Sequence, residues 1–355
     1  MTYKVAVIGA SGVVGREMVR VLEQRNFPIS ELTLLASKRS AGARITFKGN
    51  PIEIKELEHY DFLQTDFALF SAGSEISAKY VKLAEQAGCV VIDNSSYFRM
   101  HTDVPLIVPE VNGSTLKKFR GGGIISNPNC AAIQLAVVLK PLHEVVKIKR
   151  VVVSTYQSVS GAGAAAMEEL KLQTLAILNN NKATPEIFKK QISFNLLPQI
   201  DIYNEDGQTQ EEQKIIQEIK KIVDPQISIT ATCVRVPVFN GHSESVNIEF
   251  AQTMAVNEAL NVLKEAPGVE VWEEQASRGY ITPLECEGQD AVFVSRIRRD
   301  NSAENALNMW IVSDNLRKGA ALNAVQIAEQ VIKYANNSDN DDIMERSSFS
   351  KYSAG

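Results

Sequence analysis

Residues 4–24, KVAVIGASGVVGREMVRVLEQ, restrict the fold of this chain more than any other stretch. KVAVIGA (4–10) is a short apolar run of the kind buried in a parallel sheet, and GVVGREMVRVLEQRNF (12–27) carries its apolar residues at helical spacing. Gly9, Gly12 and Gly15 fall in and just after the turn between them. In a strand–turn–helix unit the first such glycine makes the tight turn and the second lets backbone N–H groups approach a pyrophosphate. The third allows helix and strand to pack closely, and the helix N-terminus favours the anion. The spacing is GxxGxxG rather than GxGxxG, and alone it would equally suit a structural turn; its place at a strand–helix junction gives the dinucleotide reading. The candidate contacts are Gly9, Ser11, Gly12, Val13, Val14 and Gly15.

The first third continues in the same style. ELTLLAS (31–37), DFALFSAG (66–73), CVVIDNS (89–95), DVPLIVPEVN (103–112) and GGGIISNPNC (121–130) read as strands, with the helix SEISAKYVKLAEQAG after the second. Strand–helix alternation with continuous apolar strands implies a parallel sheet covered on both faces. After about Lys149 the strands lengthen and alternate: RVVVSTYQSVSG, ISITATCVRVPVF, HSESVNIEFAQ and DAVFVSRIRRD suit a mixed or antiparallel sheet with one covered face. AAAMEELKLQTLAILNNN and TQEEQKIIQEIKKIVD are helices between them, and GAALNAVQIAEQVIKYANN (319–337) is the last. A chain of 355 residues is long for one core. The expected class is α/β, a Rossmann-type dinucleotide-binding domain over residues 1–128 followed by a mixed-sheet α+β domain over 129–318. Residues 338–355, polar and aperiodic, are expected to be a disordered tail.

A net charge of −5 argues against nucleic acid as a partner, and the clusters KIKR (147–150) and KK (220–221) read as solvated faces. MTYKVAVIGASG enters a strand without a charged leader, and no apolar run reaches the roughly 18 residues of a spanning helix. The expectation is a cytoplasmic protein away from membranes. Cys89, Cys130, Cys233 and Cys286 are scattered, with no histidine at ligand spacing, which argues against a metal site and a disulfide framework.

An NAD site usually ends its second strand in a carboxylate that takes the ribose hydroxyls. Here the strand ends Leu35-Ala36-Ser37-Lys38-Arg39-Ser40, so Ser37, Arg39 and Ser40, with Lys38, are read as a 2′-phosphate site and NADP is expected. In SNPNCAAIQLAVVLKPL (126–142) Cys130 stands where a strand feeds a helix, a position that lowers a thiol pKa and offers backbone N–H groups to an oxyanion. A nicotinamide cofactor near an activated cysteine suggests aldehyde oxidation through a thioester. Of the four histidines, His59 reads as a surface residue, His101 lies in a loop and His143 ends the cysteine helix; His242, in the turn NGHSES, is the better candidate for a cleft, a structural histidine being the rival.

GASGVVG, NSSYFRM, DVPLIVPEVN, SNPNCAAIQ, STYQSVSGAG, EEQK, RVPVFNGHSESVNIEF and DNLRKGAALNAVQ together resemble the aspartate-β-semialdehyde dehydrogenase family, in order from about residue 4 to 337. The related N-acetyl-γ-glutamyl-phosphate reductases typically carry NPGCY at the cysteine, where this chain has Asn129 before it and Ala131 after it. Other phosphorylating aldehyde dehydrogenases, and a non-catalytic NADP sensor of the same fold, are the remaining alternatives. The resemblance implies Cys130 as nucleophile, His242 as acid/base and Gln157 as the group orienting the intermediate. It implies Arg235, on the same strand as His242, for the substrate carboxylate, Glu211 for its amine, and Lys214 and Arg99, with Asn129, for phosphate. Without it, Glu211 and Lys214 would be an ordinary solvated i,i+3 pair. Gly73, Gly161 and Asn315 join the cofactor set on the same ground. The resemblance further implies that helix 319–337 returns to the first domain and that the second is catalytic and forms a homodimer or dimer of dimers. It also implies reversible reduction of L-4-aspartyl phosphate to L-aspartate 4-semialdehyde, serving lysine (through diaminopimelate), threonine and methionine synthesis.

Overall fold

The computed structural model describes residues 1–119, 121–272 and 279–349, with Lys118 and residues 337–349 described for the backbone alone. The first part contains β1 (Tyr3–Ile8), α1 (Val13–Gln24), β2 (Ile29–Ala36), β3 (Arg44–Phe47), β4 (Asn50–Glu56), β5 (Phe67–Phe70), α2 (Ser74–Gln86), β6 (Val90–Asp93), α3 (Pro109–Asn112), β7 (Gly123–Ser126) and α4 (Cys130–Val145). Seven strands form one sheet in the order β3-β4-β2-β1-β5-β6-β7, all parallel except the β3–β4 pair. The strand order reverses between β1 and β5, and the chain leaves β1 there through the glycine turn. That is where an open α/β sheet places a ligand crevice. Gly9 holds φ +84° and its missing Cβ would lie 2.2 Å from the Ser71 carbonyl oxygen; a Cβ on Gly15 would lie 2.2 Å from that of Gly9. Neither position accepts a side chain, so the turn is fixed by packing as well as by any ligand.

Two features depart from the expected strands. DVPLIVPEVN touches the sheet through one bridge, Leu106 to Ser126, and then turns into α3 because Pro109 at the first helical position starts a helix readily. The β3–β4 hairpin, turned by Lys48 and Gly49 at positive φ, lays β4 beside β2 and sets Glu56 opposite Ala36. A carboxylate therefore stands beside the end of the second strand, contributed by its neighbour.

The second part contains β8 (Ile148–Gln157), α5 (Ala164–Leu178), α6 (Gln210–Ile222), β9 (Ser228–Arg235), β10 (His242–Phe250), α7 (Val256–Glu265), β11 (Val269–Trp272), α8 (Pro283–Cys286), β12 (Val292–Arg299) and β13 (Ala306–Ser313). They form a mixed sheet in the order β11-β12-β13-β10-β8-β9. Val151, Val153, Val246, Ile248 and Ile311 pack with Leu135, Val138 and Leu142 of α4 and Ile215 and Ile219 of α6, so the cysteine helix belongs to this core. The chain then makes a π-helical turn, Arg317–Ala321, and enters α9 (Leu322–Phe349). Leu322, Val325 and Ala328 join the core beneath the first sheet. Helical backbone continues through residues 338–349, expected to be disordered, because no proline or glycine interrupts the chain between Gly319 and Gly355. Residues 350–355 lie outside the described residues. Among the described residues no helix is long and apolar enough to cross a membrane.

Candidate active site

α4 begins at the thiol. Asn129 is its N-cap, and its side-chain oxygen accepts from the Ala131 and Ala132 N–H groups at 2.9 and 3.3 Å. The cap's amide donates to Glu211 at 2.8 Å, joining the cysteine turn to the start of α6. Three strand ends converge opposite. Gln157 and Arg235 are register partners at the ends of β8 and β9, and His242 opens β10 opposite Ser313. Arg235 and His242 thus lie on different strands: the chain reverses at Val236–Gly241, and β9 runs parallel to β8 while β10 runs antiparallel. Arg235 exchanges two backbone hydrogen bonds with Leu197 and donates Nη1 to the Ser158 carbonyl at 2.7 Å.

Arg99, Asn129, Cys130, Gln157, Asp201, Glu211, Lys214 and Arg235 line a cleft of about 480 Å³, and His242 is not on its wall. Glu211 accepts from Gln157 at 3.1 Å and from Lys214 at 3.4 Å. Burial opposes its ionisation, but the Lys214 charge and the hydrogen bonds from Asn129 and Gln157 outweigh this and hold its pKa below the usual value. Lys214 also pairs with Asp201 at 2.8 Å. Arg99 is buried, with Nε on the Asn127 carbonyl, Nη2 on the Asn94 carbonyl and Nη1 on Glu218 at 2.9 Å.

Cys130 and His242 differ from expectation in charge. Burial pushes the Cys130 thiol up to about 12, helped by the negative Glu211 and opposed by Arg235, Arg99 and the Ala131 N–H. The helix terminus lowers a thiol pKa, as expected, but desolvation by burial is the larger effect. His242 is fully buried behind Gly161, whose Cβ would lie 3.3 Å from its Nε2. Burial first, then the neighbouring Arg235 charge, bring its pKa down to about 3. At neutral pH the pair is a thiol and a neutral imidazole. The Ser158 N–H donates to His242 Nδ1 at 3.1 Å, so the ring proton sits on Nε2, which has no partner among the described residues.

A second cleft, of about 960 Å³, runs over the glycine turn along Gly9, Ser11, Gly12, Val13 and Val14. It shares Val14, Ser71, Gly73, Ser160 and Gly161 with the cysteine cleft, so the two clefts adjoin between helix α1 and the thiol. Gly12 caps α1 without a side-chain hydrogen bond, leaving the first-turn N–H groups to a ligand. This chemistry fits a dinucleotide.

Patterns of known families match both halves of the chain. The pattern described as semialdehyde dehydrogenase, NAD binding domain covers residues 4–119, and that described as semialdehyde dehydrogenase, dimerisation domain covers residues 139–318. The chain belongs to the semialdehyde dehydrogenase family. It is 54% identical over 331 residues to the aspartate-semialdehyde dehydrogenase of Rickettsia bellii, spanning 93% of this chain and 98% of that protein. The corresponding protein of Aquifex aeolicus is 52% identical over 337 residues, 94% and 99% of the two chains. The crystal structure of aspartate semialdehyde dehydrogenase II from Vibrio cholerae, complexed with ASA, superposes with a TM-score of 0.91 at 45% identity, over 94% of this chain and 99% of that one. The family is the one its motifs resemble.

Within this semialdehyde dehydrogenase some expected contacts lie elsewhere. Ser37 and Lys38 line the dinucleotide cleft, whereas Arg39 and Ser40 are not on its wall and Glu56 and Glu58 are. Gly15 packs behind the turn. Asn315 lines the cysteine cleft, and its Oδ1 accepts from Ser158, Ser160 and the Gly241 N–H, tying together the loops around His242. His143 is structural: it accepts the Ile148 N–H and meets Asp224 at 3.1 Å. Lys221, read as a solvated face, donates to the carbonyls of Arg99, His101 and Val104, because α6 turns it inward under that loop. Asp201 and Glu218 were not anticipated. Asp201 carries no local signal, but Glu218 lies two turns beyond Glu211 on the same helix face.

Two residues along β10 from His242, Glu244 points the same way and is fully buried; neither of its oxygens, nor the Gln134 amide nitrogen beside it, completes a hydrogen bond. Burial raises its pKa well above the usual carboxylate value, so the folded state keeps a proton that the unfolded chain releases. Stability then falls as pH rises through the ordinary carboxylate range, by up to about 1.4 kcal/mol per pH unit until the folded group ionises. Glu244→Gln should flatten the dependence of denaturation midpoint on pH above the ordinary carboxylate range and raise the midpoint there. An unchanged slope would contradict the neutral carboxyl.

Proposed function

We propose that this chain is an NADP-dependent aspartate-semialdehyde dehydrogenase that interconverts L-4-aspartyl phosphate and L-aspartate 4-semialdehyde through a thioester on Cys130. The observation that carries the reading is the continuity of the two clefts at Val14, Ser71, Gly73, Ser160 and Gly161, which sets a helix-start thiol beside the end of a dinucleotide crevice. The cofactor, when bound there, takes up or supplies a hydride. Lys38 and Ser37 would meet a 2′-phosphate at its far end.

In the oxidative direction Cys130 gives up its thiol proton to solvent, the thiolate adds to the aldehyde carbon and the carbonyl oxygen becomes an alkoxide. His242 donates Nε2–H to that oxygen, and the backbone N–H groups at the start of α4 favour the same charge. Loss of hydride leaves a thioester, which phosphate attacks; the C–S bond breaks and the thiolate returns as the acyl phosphate leaves. Arg235 offers a planar fork to the substrate carboxylate, Glu211 a carboxylate to its ammonium, and Lys214 and Arg99 positive charge to phosphate. Gln157, held on Glu211, orients the bound intermediate. The product fits a cytoplasmic role in lysine, threonine and methionine synthesis, and the matched dimerisation pattern supports a homodimer; a dimer of dimers rests on the family resemblance alone.

Aspartate semialdehyde, inorganic phosphate and NADP should give steady NADPH formation, with NAD a poorer substitute. Omitting phosphate should leave a burst of one equivalent per active site as the thioester accumulates. Phosphate-independent turnover, or a higher kcat/KM with N-acetylglutamate semialdehyde, would reject the assignment.

A further inference from the structure

Glu218 takes no part in the chemistry described above, yet it touches both ends of the phosphate path. It is fully buried on α6, 1% exposed. One carboxylate oxygen accepts from Arg99 Nη1 at 2.9 Å and the other from the Asn129 backbone N–H at 2.5 Å, beside the cysteine. Glu211, Lys214, Glu218 and Lys221 follow spacings of three, four and three residues, so they form one stripe along the helix. Its first two members line the cleft, and its last anchors the loop after Arg99 through the carbonyls of Arg99, His101 and Val104.

We propose that Glu218 is a positioning residue for phosphate: it holds the Arg99 guanidinium in fixed register with the turn that carries Cys130. The inference rests on the reading of Arg99 as a phosphate group and Cys130 as the thioester nucleophile. An arginine left to itself samples many rotamers, and a dianion that fixed it would lose that freedom on binding. Here three of its five N–H groups are already committed, to Asn127, Asn94 and Glu218, and the residue lines the cleft that would hold the anion. The second oxygen makes the arrangement specific. Because the same carboxylate also accepts from Asn129, a shift of Arg99 would pull on the cap of α4, and the distance from phosphate to thioester carbon is held through one rigid group.

The charge of Glu218 acts in the opposite sense. A carboxylate beside Arg99 partly neutralises the cation that phosphate needs. The two effects therefore predict opposite signs when the charge is removed, and the sign decides the matter. Glutamine has the same shape, but its amide presents one oxygen and one NH2 group, so either Arg99 or the Asn129 N–H then faces a donor.

Glu218→Gln should raise the KM for phosphate by about tenfold or more, the range of a lost charge-assisted hydrogen bond, with the KM for aspartate semialdehyde changed less than twofold. A merely destabilised protein would lose active sites, and so kcat, without splitting the two KM values. Arg99→Ala should raise the phosphate KM as well, and the double variant Arg99→Ala/Glu218→Gln should be no worse in phosphate KM than Arg99→Ala alone. If Glu218→Gln does not fold, Glu218→Asp serves, since the shorter chain spans only one of the two partners. An unchanged or lowered phosphate KM in the Glu218 variant, or additive effects in the double variant, overturns the positioning role. A normal phosphate KM in Arg99→Ala instead rejects the phosphate reading of Arg99, and the proposal with it.

Discussion

Cys130→Ala should abolish turnover, by roughly four orders of magnitude or more, while dinucleotide binding stays within about twofold of the unaltered protein. The thiol is the only group proposed to bond covalently to substrate, and removing a covalent route leaves only binding and electrostatic assistance. The dinucleotide crevice lies over α1 and does not include Cys130 among its walls, so cofactor titration by nicotinamide fluorescence should be unaffected. Residual activity above about 1% would reject the nucleophile. The charge state supplies an independent check. With its pKa pushed up to about 12 by burial, Cys130 is almost wholly thiol near pH 7. Iodoacetamide should therefore alkylate it slowly at pH 7 and faster as pH rises, because only the thiolate reacts. Rapid alkylation at pH 6 would show that the helix N-terminus and the two arginines outweigh desolvation.

The sequence made the contiguous parts of this site readable and hid those built from distant pieces. The glycine turn and the cysteine junction each declare themselves within ten residues, because strand, turn and helix are successive in the chain. His242 stood out as a histidine in a strand turn. The order of seven strands could not be read so directly: the β3–β4 hairpin is marked by no more than a Lys-Gly turn, and it alters the cofactor argument by setting Glu56 beside Ala36. Glu218 and Lys221 looked like ordinary polar residues of an amphipathic helix, since their partners lie 89 to 122 positions away in sequence. The surroundings of the thiol were hidden for a related reason. The local helix end is visible in sequence, but burial and the charges of Glu211, Arg235 and Arg99 come from residues distant in the chain.

His242 offers the sharper test of mechanism, because its tautomer limits what it can do. The resemblance to known dehydrogenases suggests acid/base work, yet a neutral ring that accepts the Ser158 N–H at Nδ1 has a proton at Nε2 and no lone pair there to take the thiol's. Such a ring serves as a donor to the carbonyl oxygen as negative charge grows on it. His242→Ala should then lower kcat by about 10²–10³-fold, the cost of one oxyanion donor. His242→Gln puts an N–H near the position of Nε2 without a titratable group, and should recover at least about tenfold of that loss. With the histidine pKa down to about 3, the ring stays neutral from pH 5 to 8, and its protonation, which would begin only as pH falls toward that value, contributes no acid limb to kcat/KM in this window. A glutamine variant as poor as alanine, together with a limb between pH 5 and 8 that vanishes in both, would mean that His242 transfers the proton itself and that its ring turns to free a lone pair for the cleft.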